Sequence, residues 1–352
     1  MTYKEIICFI AQCLTISLEE KNREVILSQL KHKKIDWERV VKVSTDHLVF
    51  PALYCNLMRA RFLKYLPKEL ASYMKKITDL NRNRNKKIIT QAKKLNKLLL
   101  SNNITPIYLK GTGNLLANLY QDIAERMVGD IDFIFSKEDY PKAIKILRED
   151  GYLDLEENKI YFPSKKHYRR IVKKENIAAI EIHRELVSEK HSNEFDFEFV
   201  EKDCQLIDQV NVLSYSNKLN LSIISNQIND HGFYYKTILL RNAYDIFLLS
   251  KKTSAKDAVN SLNKLSYPLN CFLAASYEIF NRVKSLEYNK SSKTIKYLSA
   301  FNYQFLNYER TKKKHYVIKQ FLSIKSRLNI IFKSIFDNEY RNWLFKRLIN
   351  KK

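Results

Sequence analysis

Hydrophobic residues recur at helical spacing over the first hundred residues of this 352-residue chain. Residues 3–30 place apolar side chains three or four positions apart, and DHLVFPALYCNLMRA continues the pattern with Pro51 in the first turn of a helix. The longest stripe, within residues 67–103, consists of Leu70, Met74, Ile77, Leu80, Ile88, Ala92, Leu95 and Leu99. These patterns predict a helical N-terminal region over residues 1–100.

The hydrophobic period shortens after residue 103. ITPIYL at 104–109 and DIDFIF at 130–135 both read as strands, and a helical pattern follows each of them. Two further strands are predicted at 166–173 and 177–183, with a turn between them. Strand, helix, strand, helix is typical of an α/β unit, so we predict an α/β core over residues 101–205.

Helical spacing returns after about residue 205, which predicts a C-terminal helical region over residues 206–352. Its last part is strongly basic and contains an apolar stripe made of Val317, Phe321, Ile324, Leu328, Ile331 and Ile335. We expect a helix that packs this stripe on the core and turns its basic face to water. An RNA-binding helix and a membrane-surface helix are the alternatives.

The composition supports a mostly helical protein, because the chain contains only 5 glycines and 6 prolines. The net charge of +24 fits nucleic acid, an anionic membrane surface or a polyphosphate substrate, and a composition bias of the source is the other explanation. Five scattered cysteines without a CxxC pair predict reduced thiols. Without a secretory leader pattern or a long apolar run, we expect a cytoplasmic protein.

Two aspartates interrupt the apolar strand at 130–135. Residues i and i+2 of a strand point to the same side, so Asp130 and Asp132 share one face while Ile131 and Phe133 share the other. Two carboxylates this close repel each other, and Mg²⁺ resolves the conflict because it takes hard oxygen ligands. A solvated strand end is the alternative.

A third carboxylate follows the same rule in AAIEIHREL. If Ile180 and Ile182 face the core, Glu181 and His183 face the other side, where a neighbouring strand would bring Glu181 beside the aspartates. Three carboxylates on adjacent strands suit two-metal phosphoryl transfer, in which one metal lowers the pKa of the attacking hydroxyl and the other steadies the triphosphate. An outward-facing Glu181 and a core histidine are the alternatives.

The stretch YLKGTGNLLANLYQDIAERMVGDIDFIFSKEDYPKAIKILREDGY resembles the polymerase-β-type nucleotidyltransferases, and most of all the bacterial uncharacterised nucleotidyltransferase family. The shared pattern is a strand ending in Leu-Lys-Gly, a helix, an arginine, Asp-Ile-Asp, and a later Glu-apolar-His. Its residues are Leu109, Lys110, Gly111, Arg126, Asp130, Ile131, Asp132, Glu181, Ile182 and His183. The resemblance covers about residues 40–250 and implies an α+β fold, in which helical regions flank a small mixed β-sheet core.

The resemblance implies a reaction and a catalytic site. Asp130 and Asp132 would bind Mg²⁺ or Mn²⁺, and Glu181 would either ligate a metal or activate the acceptor. The enzyme would move an NMP group from an NTP substrate to an acceptor hydroxyl and release pyrophosphate. The positive charge of the chain favours a polyanionic acceptor such as RNA or tRNA.

The resemblance also implies a nucleotide-binding turn before the aspartates. The backbone N–H groups of Gly111, Thr112 and Gly113 would approach the phosphates, and Lys110 and Arg126 would offset phosphate charge. Abortive-infection nucleotidyltransferase toxins, which have a similar core, carry Lys-Gly-Gly-Thr here, whereas this chain has Lys-Gly-Thr-Gly and lacks the Gly-Ser pair of the superfamily. Thr112 would take the place of that serine. The alternatives are that Lys110 only solvates the end of a strand and that Arg126 forms a structural ion pair.

HGFYYKTILLRNAYDIFLL resembles the C-terminal helices of the family, with His231, Arg241 and Asp245 at matching places. These residues are second-tier candidates, and ion pairs between packed helices are the alternative. Two other functions stay open. One is an inactive scaffold that binds a nucleotide or RNA without turnover. The other is a nucleotidyltransferase toxin of a toxin–antitoxin or phage-defence pair, which would have an antitoxin partner.

Overall fold

The computed structural model describes residues 1–155 and 166–349. Five helices precede the first strand: α1 Tyr3–Cys13, α2 Glu20–His32, α3 Trp37–Asp46, α4 Phe50–Arg59 and α5 Lys68–Leu100. Pro51 lies in the first turn of α4, where its missing N–H costs no hydrogen bond. The helices predicted for this part of the chain are confirmed.

A mixed sheet forms the centre, and its seven strands within the described residues have the order β3-β4-β5-β2-β1-β7-β6. They are β1 Ile107–Tyr108, β2 Asp130–Ile134, β3 Leu153–Asp154, β4 Ile171–Val172, β5 Ala179–His183, β6 Gln205–Ile207 and β7 Val210–Val212. Strand β2 runs parallel to β5 and antiparallel to β1, and β1 runs parallel to β7. The predicted α+β fold with a mixed sheet is therefore confirmed.

Helices make up most of the remaining chain. They are α6 Lys110–Leu116, α7 Asp139–Glu149, α8 Phe197–Glu201, α9 Tyr215–Ile224, α10 Gly232–Tyr235, α11 Leu240–Leu249, α12 Ala255–Asn260, α13 Ser266–Ile279, α14 Ser292–Leu306, α15 Tyr308–Phe336 and α16 Asn338–Ile349. Among the described residues, none of these helices combines the length and apolar character needed to cross a membrane.

The middle of α5 buries polar side chains where an apolar stripe was predicted. Leu80 is 58% exposed, whereas Asn81 and Asn85 are buried. The side-chain amides of Asn81 and Asn85 both donate to the Arg126 carbonyl, at 3.2 and 2.7 Å. Because this buried face pairs with backbone carbonyls and not with apolar side chains, α5 fixes the segment that leads into β2.

Two short strands lie at 205–212, where helices were predicted to begin. Asp208 and Gln209 form the turn between β6 and β7, and both have a left-handed backbone with φ of 47° and 63°. Strand β7 then pairs with β1, so the sheet extends to Val212. The alternation in QLIDQVNV is the sequence signal for this hairpin, and it was missed because both strands are short.

The apolar stripe of α15 faces solvent, so the expected packing of this stripe on the core was wrong. All six of its members are more than half exposed. The opposite side of the helix is already occupied, because α16 packs back along α15 and buries Tyr340 and Trp343. Near the start of α15, His315 hydrogen-bonds the Tyr235 carbonyl of α10 at 2.9 Å, which ties the pair of helices to the rest of the protein.

Candidate active site

The predicted carboxylates meet on two neighbouring strands. Strands β2 and β5 are parallel, and Asp132 lies directly opposite Glu181 in their register. Asp130 pairs with Ala179 and shares the face of Asp132, as the strand period requires. The Nε2 atom of His183 lies 2.8 Å from Asp132 Oδ1. The structure therefore brings these three carboxylates and His183 together on one face of the sheet.

Two cations hold the carboxylates. Lys110 Nζ lies 2.6 Å from Asp132 Oδ1 and 3.6 Å from Glu181 Oε2. Arg170 Nη2 lies 2.9 Å from Asp130 Oδ2, and its Nε lies 2.6 Å from Glu181 Oε1. Three carboxylates against two cations leave a formal net negative charge, which suits the binding of a further cation.

The carboxylates differ in how readily they take a proton. Burial alone would raise the pKa of Asp132, but the Lys110 ammonium and the His183 hydrogen bond outweigh it and hold this pKa well below its ordinary value. Burial, reinforced by the charge of Glu181, raises the pKa of Asp130. Burial and the nearby Lys110 lower the pKa of His183, so its imidazole is neutral at pH 7.

The Lys-Gly-Thr-Gly turn packs tightly against the strands that carry the site. Lys110 has a φ of 49°, a left-handed conformation that is uncommon for a residue other than glycine. A Cβ on Gly113 would lie 2.6 Å from the Tyr108 carbonyl oxygen, so only glycine fits there. Thr112 is fully buried, and its hydroxyl donates to the Asp130 carbonyl at 2.9 Å. Contact of this turn with phosphates stays a prediction.

Arg126 lies beside the same turn but points its Nε into a buried ion pair. That atom lies 3.0 Å from Asp245 Oδ2, and the Tyr120 hydroxyl donates to the other oxygen of Asp245 at 2.7 Å. The guanidinium carbon of Arg126 is 3.6 Å from the place that a Cβ of Gly111 would take. Arg126, which was predicted to bind the nucleotide, and Asp245, a second-tier candidate, thus form one buried ion pair. This pair joins α11 to the core.

A second polar group lies near the cluster. The Nε atom of Arg241 is buried without a hydrogen-bond partner among the described residues. Lys166 forms no ion pair with a described residue, and burial together with Lys110 lowers its pKa to about 8. Burial raises the pKa of Asp230, and the charges of Lys166, Lys110 and Arg241 oppose this rise. His231 follows a π-helical turn and has a φ of 58°, an irregular backbone of the kind found at functional sites.

The donor set fits a divalent metal ion. One ligand atom from each of Asp132, Glu181 and His183 lies within 4.8 Å of the others, and all three residues are buried. Carboxylate oxygens suit Mg²⁺ and Mn²⁺, and the imidazole adds a nitrogen donor that transition metals accept more readily than Mg²⁺ does. Asp130 lies beside this set and is held by Arg170.

Sequence reasoning missed Arg170, although a signal for it exists. Strand β4 is antiparallel to β5, and Ile171 pairs with Ile180 on the core side. Their neighbours Arg170 and Glu181 must therefore share the opposite face. Neither Lys166 nor Asp230 has such a signal, because each lies outside the strands and next to residues of no clear period.

Comparison with known families agrees with this geometry. A family model described as an uncharacterised nucleotidyltransferase matches residues 33–280, a segment that includes both strands of the site. No curated protein and no solved structure matches the chain. The family match spans well over half of the chain and includes the carboxylate cluster. The chain therefore belongs to the uncharacterised nucleotidyltransferase family.

Proposed function

We propose that this protein transfers the NMP group of an NTP to an acceptor hydroxyl in a reaction that depends on Mg²⁺ or Mn²⁺. One observation carries the proposal: Asp132 and Glu181 lie opposite each other on parallel strands, and Asp130 shares their face. Carboxylates so close together suit cation-assisted phosphoryl transfer, and Lys110 and Arg170 form ion pairs with them.

The chain's own residues divide the work of this reaction. Asp132, Glu181 and Asp130 would hold the metal ions, which when bound neutralise the triphosphate and lower the pKa of the attacking hydroxyl. Lys110 orients Asp132 through its 2.6 Å contact. Glu181 would also receive the proton of the acceptor hydroxyl. The acceptor oxygen bonds to the α-phosphorus as the bond to pyrophosphate breaks, and pyrophosphate leaves.

The triphosphate requires cations beyond those that neutralise the carboxylates. Lys166 and Arg241 would supply two of them. Lys166 forms no ion pair with a described residue, and the Nε of Arg241 has no hydrogen-bond partner among those residues. The charges of both oppose the rise that burial causes in the pKa of Asp230, as the charge of Lys110 does. The turn of Gly111 to Gly113 would contribute backbone N–H groups.

The acceptor we propose is RNA, with tRNA as the first candidate. The chain carries 62 Lys and Arg against 38 Asp and Glu, and a polyanion is the acceptor class that such a charge attracts. Electrostatic attraction of this kind weakens as salt rises, so transfer to RNA should fall more steeply with ionic strength than pyrophosphate release measured with a small acceptor.

The test is transfer of label from each of the four α-³²P-labelled NTPs to total tRNA, with Mg²⁺ or Mn²⁺. Asp132→Asn should abolish transfer, because it removes a metal ligand without a change of shape. Asp208→Asn is the matched control, since Asp208 lies in the exposed turn between β6 and β7. It should retain the wild-type rate.

Two outcomes would contradict the proposal. NTP binding in calorimetry without pyrophosphate release, for every nucleotide and both metals, would favour the inactive scaffold. Transfer that Asp132→Asn leaves intact would place the chemistry elsewhere. Growth arrest on expression of the wild type but not of Asp132→Asn would add a toxin function to the same chemistry.

A further inference from the structure

Helix α15 presents a continuous apolar stripe to water. Its residues alternate four and three positions apart, which places them along one line of the helix. They are Val317, Phe321, Ile324, Leu328, Ile331 and Ile335, all between 53% and 65% exposed. Such a stripe on a water-facing side marks an interaction surface.

Cations flank the stripe on both sides. At 3.6 residues per turn, Lys314 and Lys325 lie along one border, and Lys313 and Arg327 lie along the other. All four are exposed, and none forms an ion pair with a residue that the structure describes. Residues 308–349 contain eleven Lys and Arg against three acidic residues.

The combination of an apolar stripe and basic borders selects among partners. A second copy of the chain would cover the stripe but bring like charges together. RNA would satisfy the cations but leave six apolar side chains in water. An anionic membrane surface satisfies both, because the stripe enters the acyl region while the Lys and Arg stems extend to the headgroups.

We propose that α15 docks in the plane of an anionic lipid membrane, with its apolar stripe buried at the headgroup boundary. The helix lies beyond residues 33–280, which match the nucleotidyltransferase family, and none of its residues belongs to the carboxylate site. The proposal does not depend on nucleotidyl transfer, and its test needs no NTP.

The test uses the full chain and vesicles of two compositions, phosphatidylcholine alone and phosphatidylcholine with about one-third phosphatidylserine. Co-sedimentation should show binding to the anionic vesicles at least about tenfold stronger than to the neutral ones, and high salt should weaken it. The double variants Phe321→Ser/Leu328→Ser and Lys313→Glu/Lys314→Glu should each weaken binding about tenfold or more. All four positions are exposed, so circular dichroism should show the wild-type fold.

Matched controls come from other exposed positions of the chain. Leu80→Ser removes an apolar side chain that is 58% exposed on α5, and Lys86→Glu/Lys87→Glu reverses two exposed charges on the same helix. Both controls should bind anionic vesicles as the wild type does. Equal losses in the controls would mean that overall charge or hydrophobicity drives binding, and the assignment to α15 would be wrong.

Three other results would overturn the proposal. The first is no binding to either vesicle. The second is concentration-dependent dimerisation that the serine variant abolishes while vesicle binding is absent, which would assign the stripe to a second copy. The third is tRNA binding that the glutamate variant weakens and the serine variant does not, again without vesicle binding, which would assign the cations to RNA.

Discussion

We expect Arg170 to compete with a metal ion for the carboxylates, so its removal should tighten metal binding. Its guanidinium holds Asp130 Oδ2 at 2.9 Å and Glu181 Oε1 at 2.6 Å, and both carboxylates are among the three that we propose as metal ligands. A hydrogen bond to a charged group contributes about 1.5–3 kcal/mol when it is buried. The Arg170 side chain is 48% exposed, and solvent screening reduces the contribution of both bonds together to about 1–1.5 kcal/mol.

This free energy predicts that Arg170→Gln lowers the Kd for Mn²⁺ about five- to tenfold. Calorimetry or electron paramagnetic resonance of free Mn²⁺ measures it at neutral pH. Arg169→Gln is the matched control, because Arg169 pairs with Asp154 at 2.5 Å and not with the cluster. An unchanged or weaker affinity in Arg170→Gln would refute the reasoning, since it would mean that Arg170 supports the site and does not compete for it.

Three further predictions concern stability. Gly113→Ala places a Cβ 2.6 Å from a β1 carbonyl oxygen and should cost about 1–3 kcal/mol in urea unfolding, whereas Gly129→Ala meets nothing within 4 Å and should be neutral. Asp245→Ala leaves a buried arginine unpaired and should cost about 3–5 kcal/mol, and a loss below about 1 kcal/mol would contradict a buried pair. Burial lowers the pKa of Lys218 from 10.5 to about 8, so folding disfavours its charged form and unfolding free energy should rise with pH between these values by up to about 3 kcal/mol. In Lys218→Met the unfolding free energy should rise less with pH. A rise equal to that of the wild type would contradict the assignment of this pH dependence to Lys218.

The carboxylate cluster was open to prediction because strand geometry is simple. Alternation puts Asp130 and Asp132 on one face whatever surrounds them. The same rule puts Glu181 opposite the core-facing Ile180 and Ile182, which are fully buried in the structure. Only the adjacency of β2 and β5 had to be assumed, and the register confirms it.

The partners of these residues were harder to predict, because they come from distant parts of the chain. Arg126 was expected to meet phosphate or a nearby acid, yet its Nε pairs with Asp245, a residue 119 positions away. Local pattern cannot fix such a pair, since it depends on how α11 packs against the core. The buried polar face of α5 was not predicted for the same reason. Asn81 and Asn85 are buried because their side-chain amides donate to a backbone carbonyl, and a hydrophobic pattern does not show where such a carbonyl lies.

The stripe of α15 shows a different limit. Its 3–4 spacing correctly identified one apolar face, but periodicity reports which residues share a face and not what covers that face. The core was the expected partner of this face. In the structure α16 packs on the opposite side of α15, where Tyr340 and Trp343 are buried. The cations that flank the stripe indicate which partner would cover it. Packing on the core requires no such cations, whereas an anionic surface would pair with them. They are Lys313 and Arg327 on one side and Lys314 and Lys325 on the other. Charge placed at the edges of an exposed apolar face is thus the observation from which we infer a docking helix.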